Sequence, residues 1–218
     1  MRRILLVSLI LLTALCVASV AQQAARPANT AVNASQLRAV RLPTELEATH
    51  LRIAQQRSIA AREQLNGIRA RLKLPPLDVT AINRTKVPVL AVLRGAQFAN
   101  QRIRTTIDHM VVSAGDDRRG FVLTGTRLAS TVARPETFRV LKPDDDKLLK
   151  SVLTARGVVD PISDVEVSKT EDGYDISFRR YGAVYNLRLS CADTEAPDCT
   201  KEEALKLLAD TQVLGGGQ

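Results

Sequence analysis

Tryptophan is absent from this chain of 218 residues, and phenylalanine and tyrosine together number seven. Carbohydrate platforms rely on aromatic faces, so that class of binding is disfavoured. Histidine occurs only as His50 and His109. A metal site on His109 would need carboxylates, and the nearest are Asp108, Asp116 and Asp117. Adjacent strand residues point to opposite faces, so Asp108 and His109 do not serve one metal. Cysteine occurs three times, too rarely for a disulfide-dense mini-protein. The 11 glycines and 9 prolines follow no period, which excludes collagen. Only one apolar run approaches membrane-spanning length, so a multi-span protein is excluded. There is no G-x-S-x-G elbow, S-x-x-K, H-E-x-x-H, P-loop or G-x-G-x-x-G. The run Asp144-Asp145-Asp146 suits the positive end of a helix dipole better than a cation. Nothing here calls for a cofactor or a metal.

What the chain does have is a basic excess and an ordinary globular composition. Apolar residues make up 45% and charged residues 25%, so wholesale disorder is excluded. Lys plus Arg is 31 against 23 acids, giving a formal charge of +8. The charge is uneven along the chain. Residues 22–80 hold nine bases and four acids, residues 81–142 eleven and four, and residues 143–218 nine and fifteen. No helix-turn-helix spacing, zinc pattern or aromatic-basic interleaving accompanies this charge, so no nucleic-acid partner is expected.

Residues 1–21 read as a secretory signal peptide. Arg2 and Arg3 precede an apolar stretch, and Ser19 and Ala21 suit cleavage before Gln22. The alternative is an uncleaved anchor holding the protein in the inner membrane. Cys16 makes a poor lipoprotein site, with bulky Leu15 before it. The expected location is the periplasm or the exterior, and residues 22–43 read as a flexible tether.

Residues 44–76 hold a long basic amphipathic helix, ending at Pro75-Pro76. Leu51, Ala54, Ser58, Ala61, Leu65, Ile68 and Leu72 recur at three-four spacing as a coiled-coil-like seam. Arg57, Arg62, Arg69 and Arg71 flank it. The seam either packs on its own domain or supports self-association. The arginines are the candidate contact with an acidic envelope protein or an anionic membrane surface.

Residues 77–157 read as an α+β region. An edge strand is expected over 87–93 because Pro88 lies within it. A hairpin of strands 104–113 and 121–131 follows, with a bulge or bend at Gly125. A short helix over 144–156 closes at Gly157. In residues 158–214, apolar and polar residues alternate through Val165, Val167, Tyr174, Ile176, Phe178, Tyr185, Leu187, Leu189 and Cys191. That is a three-strand antiparallel meander with one buried face. Thr200-Lys-Glu-Glu203 is a capping box for a last helix. In an exported chain, Cys191 and Cys199 are expected to form a disulfide. The glycines at 215–217 read as a loose end.

The sequence thus specifies an α+β fold. It has a long N-terminal helix, antiparallel hairpins, and a C-terminal meander packed with short helices. It is read as a non-catalytic, envelope-associated binding or adaptor protein. The alternatives are a small periplasmic enzyme or enzyme inhibitor with a carboxylate-based site in the β region, and a carrier for a hydrophobic ligand.

Overall fold

The computed structural model describes residues 37–39, 45–93, 100–130 and 141–218. The leader 1–21 lies outside the described residues, as does most of the tether read over 22–43. Three of its residues are described: strand β1 (Leu37–Ala39) pairs antiparallel with β6 (Leu128–Ser130). No helix among the described residues is long and apolar enough to cross a membrane.

Helix α1 (Glu45–Arg71) opens with Glu45 and Glu47 and closes with Arg69 and Arg71, as the helix dipole favours. Lys73, in the left-handed region at φ 55, turns the chain, and the Leu74 amide bonds back to the Arg69 carbonyl. Pro75 and Pro76 prevent any restart. A short helix, α2 (Val79–Arg84), follows under an Asp78 cap. Strand β2 (Val89–Val92) begins just after Pro88 and is buried along its whole length. It pairs with one other strand only, so it is the expected edge strand, but a buried one. Pro88 ends up outside it, and its carbonyl accepts the Tyr185 hydroxyl at 2.8 Å.

Six strands then build one antiparallel sheet. They are β3 (Arg102–Thr105), β4 (His109–Gly115), β5 (Arg119–Thr126), β7 (Ser163–Thr170), β8 (Gly173–Arg180) and β9 (Ala183–Cys191). The spatial order is β3-β4-β5-β9-β8-β7. Two three-strand meanders therefore meet through their third strands, Leu123 opposite Leu187. The segment 104–113, read as one strand, is split by a turn at 106–108, so that β3 and β4 pair with each other. Gly125 makes no bulge: it sits in regular register opposite Tyr185. A Cβ there would lie 2.6 Å from the Tyr185 ring, so the ring occupies the space that a side chain would need.

Alternation along the strands decides which face is covered. Met110, Val112, Phe121, Leu123, Ile176, Phe178, Tyr185, Leu187 and Leu189 are buried on one face. Phe178 and Tyr185 stack there with ring centroids 5.1 Å apart. Helix α3 (Pro143–Arg156) is stopped by Gly157 in the left-handed region, as its sequence implies. Helix α4 (Lys201–Ala209) starts at Thr200, whose hydroxyl accepts the Glu203 amide. Its buried Leu205, Leu207 and Leu208 contribute roughly 5–9 kcal/mol of gross burial before entropy is counted. The disulfide Cys191–Cys199 ties the end of β9 to the start of α4.

The glycine tail is the main departure from expectation. Strand β10 (Thr211–Gly215) pairs with β2 as a buried two-stranded ribbon. Gly216 and Gly217 continue inward, and the Gly217 amide bonds to the Thr85 carbonyl at 2.9 Å. Helix α1 packs on β10 with Leu51, Ala54, Ser58, Ala61 and Leu65 buried. The seam read as a possible self-association surface thus faces the chain's own ribbon.

Two outcomes follow. A Cβ on Gly216 would come within 2.5 Å of the Val87 carbonyl at a φ of +76. Gly216→Ala is therefore expected to lower the urea midpoint, whereas Gly67→Ala, in open space mid-helix, is expected to raise it by about 0.5–1 kcal/mol equivalent. Replacing Cys191 and Cys199 by serine frees a loop of sequence separation 8. The expected loss is about 2.5 kcal/mol, or a fall in Tm of roughly 5–10 °C by calorimetry.

Candidate functional site

A cleft of about 240 Å³ opens beside α1 and is lined by Arg57, Arg156, Asp160, Arg180, Tyr181 and Thr211, among others. Each comes from a different local device. Arg57 projects from the exposed flank of α1. Gly157 ends α3 and turns residues 158–160 back toward that helix. Arg180 and Tyr181 stand at the β8–β9 connection, where Tyr181 (φ 54) and Gly182 (φ 72) both have positive φ. Such two-residue hairpin turns favour Asn-Gly, and a bulky Tyr in that conformation is strained. Backbone strain of this kind concentrates at functional sites.

The strain is held by a buried network. Tyr181 donates its hydroxyl to Asp160 Oδ2 at 2.7 Å. Arg180 donates from Nη2 to the same oxygen at 3.2 Å and from Nη1 to the Thr211 hydroxyl at 2.9 Å. Its guanidinium carbon lies 5.0 Å from the centre of the Tyr181 ring. His50 Nδ1 is 3.2 Å from Asp160 Oδ1. Arg180 is only 3% exposed, yet its Nε has no hydrogen-bond partner among the described residues. Arg156 pairs with Asp210 at 3.4 Å. Arg57 makes no hydrogen bond or ion pair with the described residues.

Burial pushes the Asp160 carboxyl up, but the Tyr181 hydroxyl, the Arg180 charge and His50 together bring it below the ordinary carboxylate value. Burial drives the Tyr181 phenol well above its usual range, so it stays a donor at physiological pH. The cleft is thus lined by three guanidinium groups and one carboxylate, Asp160; Arg156 and Arg180 are ion-paired and Arg57 has no partner among the described residues. The cleft is suited to holding an anion.

The four arginines singled out in the sequence do not act together. Arg69 is buried and donates to the Pro75 and Gln101 carbonyls, both at 2.7 Å. Arg62 donates to the Leu214 carbonyl at 3.1 Å. With Gln55, which donates to the Gly216 carbonyl, they turn one flank of α1 into a ladder onto its own chain. Arg57 and Arg71 lie on the other, exposed flank. Only Arg57 lines the cleft. Arg156, Asp160, Arg180 and Tyr181 were missed. One signal was present: Arg180 continues the buried phase of Tyr174, Ile176 and Phe178, where a charge needs a partner.

Among the described residues no cluster of three or more His, Cys, Asp or Glu is placed to hold a metal. His109 is exposed, Asp108 pairs with Lys86 at 3.6 Å, and Asp116 caps the Arg118 and Arg119 amides. Asp145 and Asp146 pair with Lys201 and Lys150.

Because the folded Asp160 pKa is depressed, its stabilisation is present above the unfolded pKa and is lost as pH falls through the folded value. Asp160→Asn is expected to be less stable at pH 7, where it strands Arg180. Its urea midpoint is also expected to change less than that of the wild type between about pH 5 and pH 2. Equal acid dependence in the two proteins would contradict this assignment.

No known protein family matches the chain, and no curated protein or solved structure shows significant similarity to it.

Proposed function

We propose that this is a non-catalytic, exported binding or adaptor protein that captures an acidic group of a partner in the cleft at Arg57. The observation that carries the reading is an exposed Arg57, without a hydrogen-bond or ion-pair partner among the described residues, lining one cleft with Arg156 and Arg180. A concave site with convergent guanidinium groups suits a carboxylate presented on a protein. A membrane surface would call for a broad basic face, and Arg62 and Arg69 are committed to the protein's own carbonyls. Export rests on the leader-like residues 1–21 and accords with the disulfide.

The test is a titration with a fluorescent Glu-rich peptide at low salt, with anionic vesicles as a second arm. Arg57→Glu is expected to weaken peptide binding at least about tenfold, the loss of one charge-assisted contact. Arg71→Glu, about 21 Å along the helix, is expected to change it by less than twofold. Peptide affinity that ignores Arg57, or vesicle binding that depends equally on both arginines, would displace the proposal.

A further inference from the structure

Among the described residues, the second face of the six-stranded sheet is open. Val111 and Val122 remain 37% and 40% exposed on it, and about 300 Å³ of shallow depression lies beside Arg102, Ser113 and Val122. Its cross-strand rows follow from the register. One runs Arg104, Val111, Thr124, Asn186, Ser177, Glu166. The next runs Arg102, Ser113, Val122, Arg188, Asp175, Ser168. Both begin at an arginine on the β3 edge and reach a carboxylate in the β8–β7 half.

The two halves of the face differ in sign. On the β3–β5 side, Arg102 and Arg104 are exposed and pair with none of the described residues. On the β9–β7 side, Arg179 and Arg188 are set against Asp164, Glu166, Asp172 and Asp175. Arg188 donates to Asp172 at 2.8 Å and holds that carboxyl down at about 2. So Asp172 remains ionised at any physiological pH.

We propose that this face pairs with the same face of a second copy of the chain. A two-fold axis parallel to the strands, near the β5–β9 junction, reverses the lateral order of the sheet. It lays β3 of each copy over the β7–β8 half of the other. Arg102 and Arg104 then meet Asp175 and Glu166 twice, once on each side of the axis, while Val122 lies close to it. A two-fold axis across the strands would instead stack arginine on arginine, so the charge pattern selects one arrangement. Five strand spacings of about 4.8 Å and three outward residues per strand give a footprint of about 24 by 20 Å. That is at the small end for a specific interface, and the contact is polar, so the dimer is weak and salt-sensitive. Edge-to-edge pairing is discouraged at β7, where the register shifts between Ser163 and Glu166 and Asp164 has φ 51.

Sedimentation of the protein purified after expression of the full chain decides the matter. At about 100 µM in about 50 mM salt the wild type is expected to show a concentration-dependent dimer, lost at about 0.5 M salt. R102E/R104E and E166R/D175R are each expected to be monomeric, because each stacks like charge on like charge. Their equimolar mixture is expected to regain the dimer, since every contact is then of opposite sign. Unchanged far-UV circular dichroism in each charge variant is expected to confirm the fold. A wild type that stays monomeric, charge variants that associate unchanged, or a mixture that fails to recover would overturn the proposal.

Discussion

The fold depends on the insertion of β10 between α1 and β2. Helix α1 has a seam of small residues, and small residues bury area only when backbone comes close to them. Strand β10 supplies that backbone. Gly215 has no Cβ to meet Asn83 Oδ1, which an added carbon would approach to 2.6 Å. Gln55 and Arg62 then satisfy the Gly216 and Leu214 carbonyls. Strand β2 gains its ladder from the same insertion, and its far side is served by the Gln101 side chain, which bonds both the amide and the carbonyl of Val92. Helix and ribbon are thus joined by pairings that span 150 residues or more, the kind of non-local closure that slows folding.

The cleft is a by-product of that insertion. Thr211 opens β10 and receives Arg180 on its hydroxyl. The same hydroxyl donates to the Leu208 carbonyl at the end of α4, so its lone pair is oriented toward the guanidinium. Burying Arg180 and Asp160 together is costly unless each proton and lone pair is matched. Tyr181 and His50 complete the carboxylate side. On the guanidinium side Nε is buried without an acceptor among the described residues. On the proposed reading, stability and binding therefore share a set of residues, with Asp160 among them.

Most of the local structure could be read from the sequence, because it is fixed by neighbours in the chain. The alternation from Tyr174 to Cys191, the stop at Gly157, the cap at Thr200 and the disulfide are all of this kind. What could not be read depends on residues far apart. Thr211–Gly215 followed by two further glycines carries the composition of a loose end, and only α1 and β2 make it a strand. The flanks of α1 were legible as charge. Nothing nearby in the sequence shows that Arg62 and Arg69 spend that charge on carbonyls at Leu214 and Gln101. The Lys201–Asp145 ion pair between α4 and α3 likewise joins residues 56 apart. Arg180 lay between these cases: its phase in the strand marked it as buried, but its partner Asp160 sits in a connection with no pattern.

Charge distribution changes meaning in the same way. Along the chain the excess of bases lies before residue 143 and the excess of acids after it. Had the two meanders formed separate sheets, that contrast would have set one body against another. The β5–β9 junction makes them one sheet instead. The contrast then becomes a gradient across a single open face, from Arg102 and Arg104 at one edge to Glu166 near the other. The basic excess of the whole chain is therefore a poor guide to its partners. What matters is which arginines remain unpaired once the sheet has closed; among the described residues these include Arg57 beside the cleft and Arg102 and Arg104 at the β3 edge.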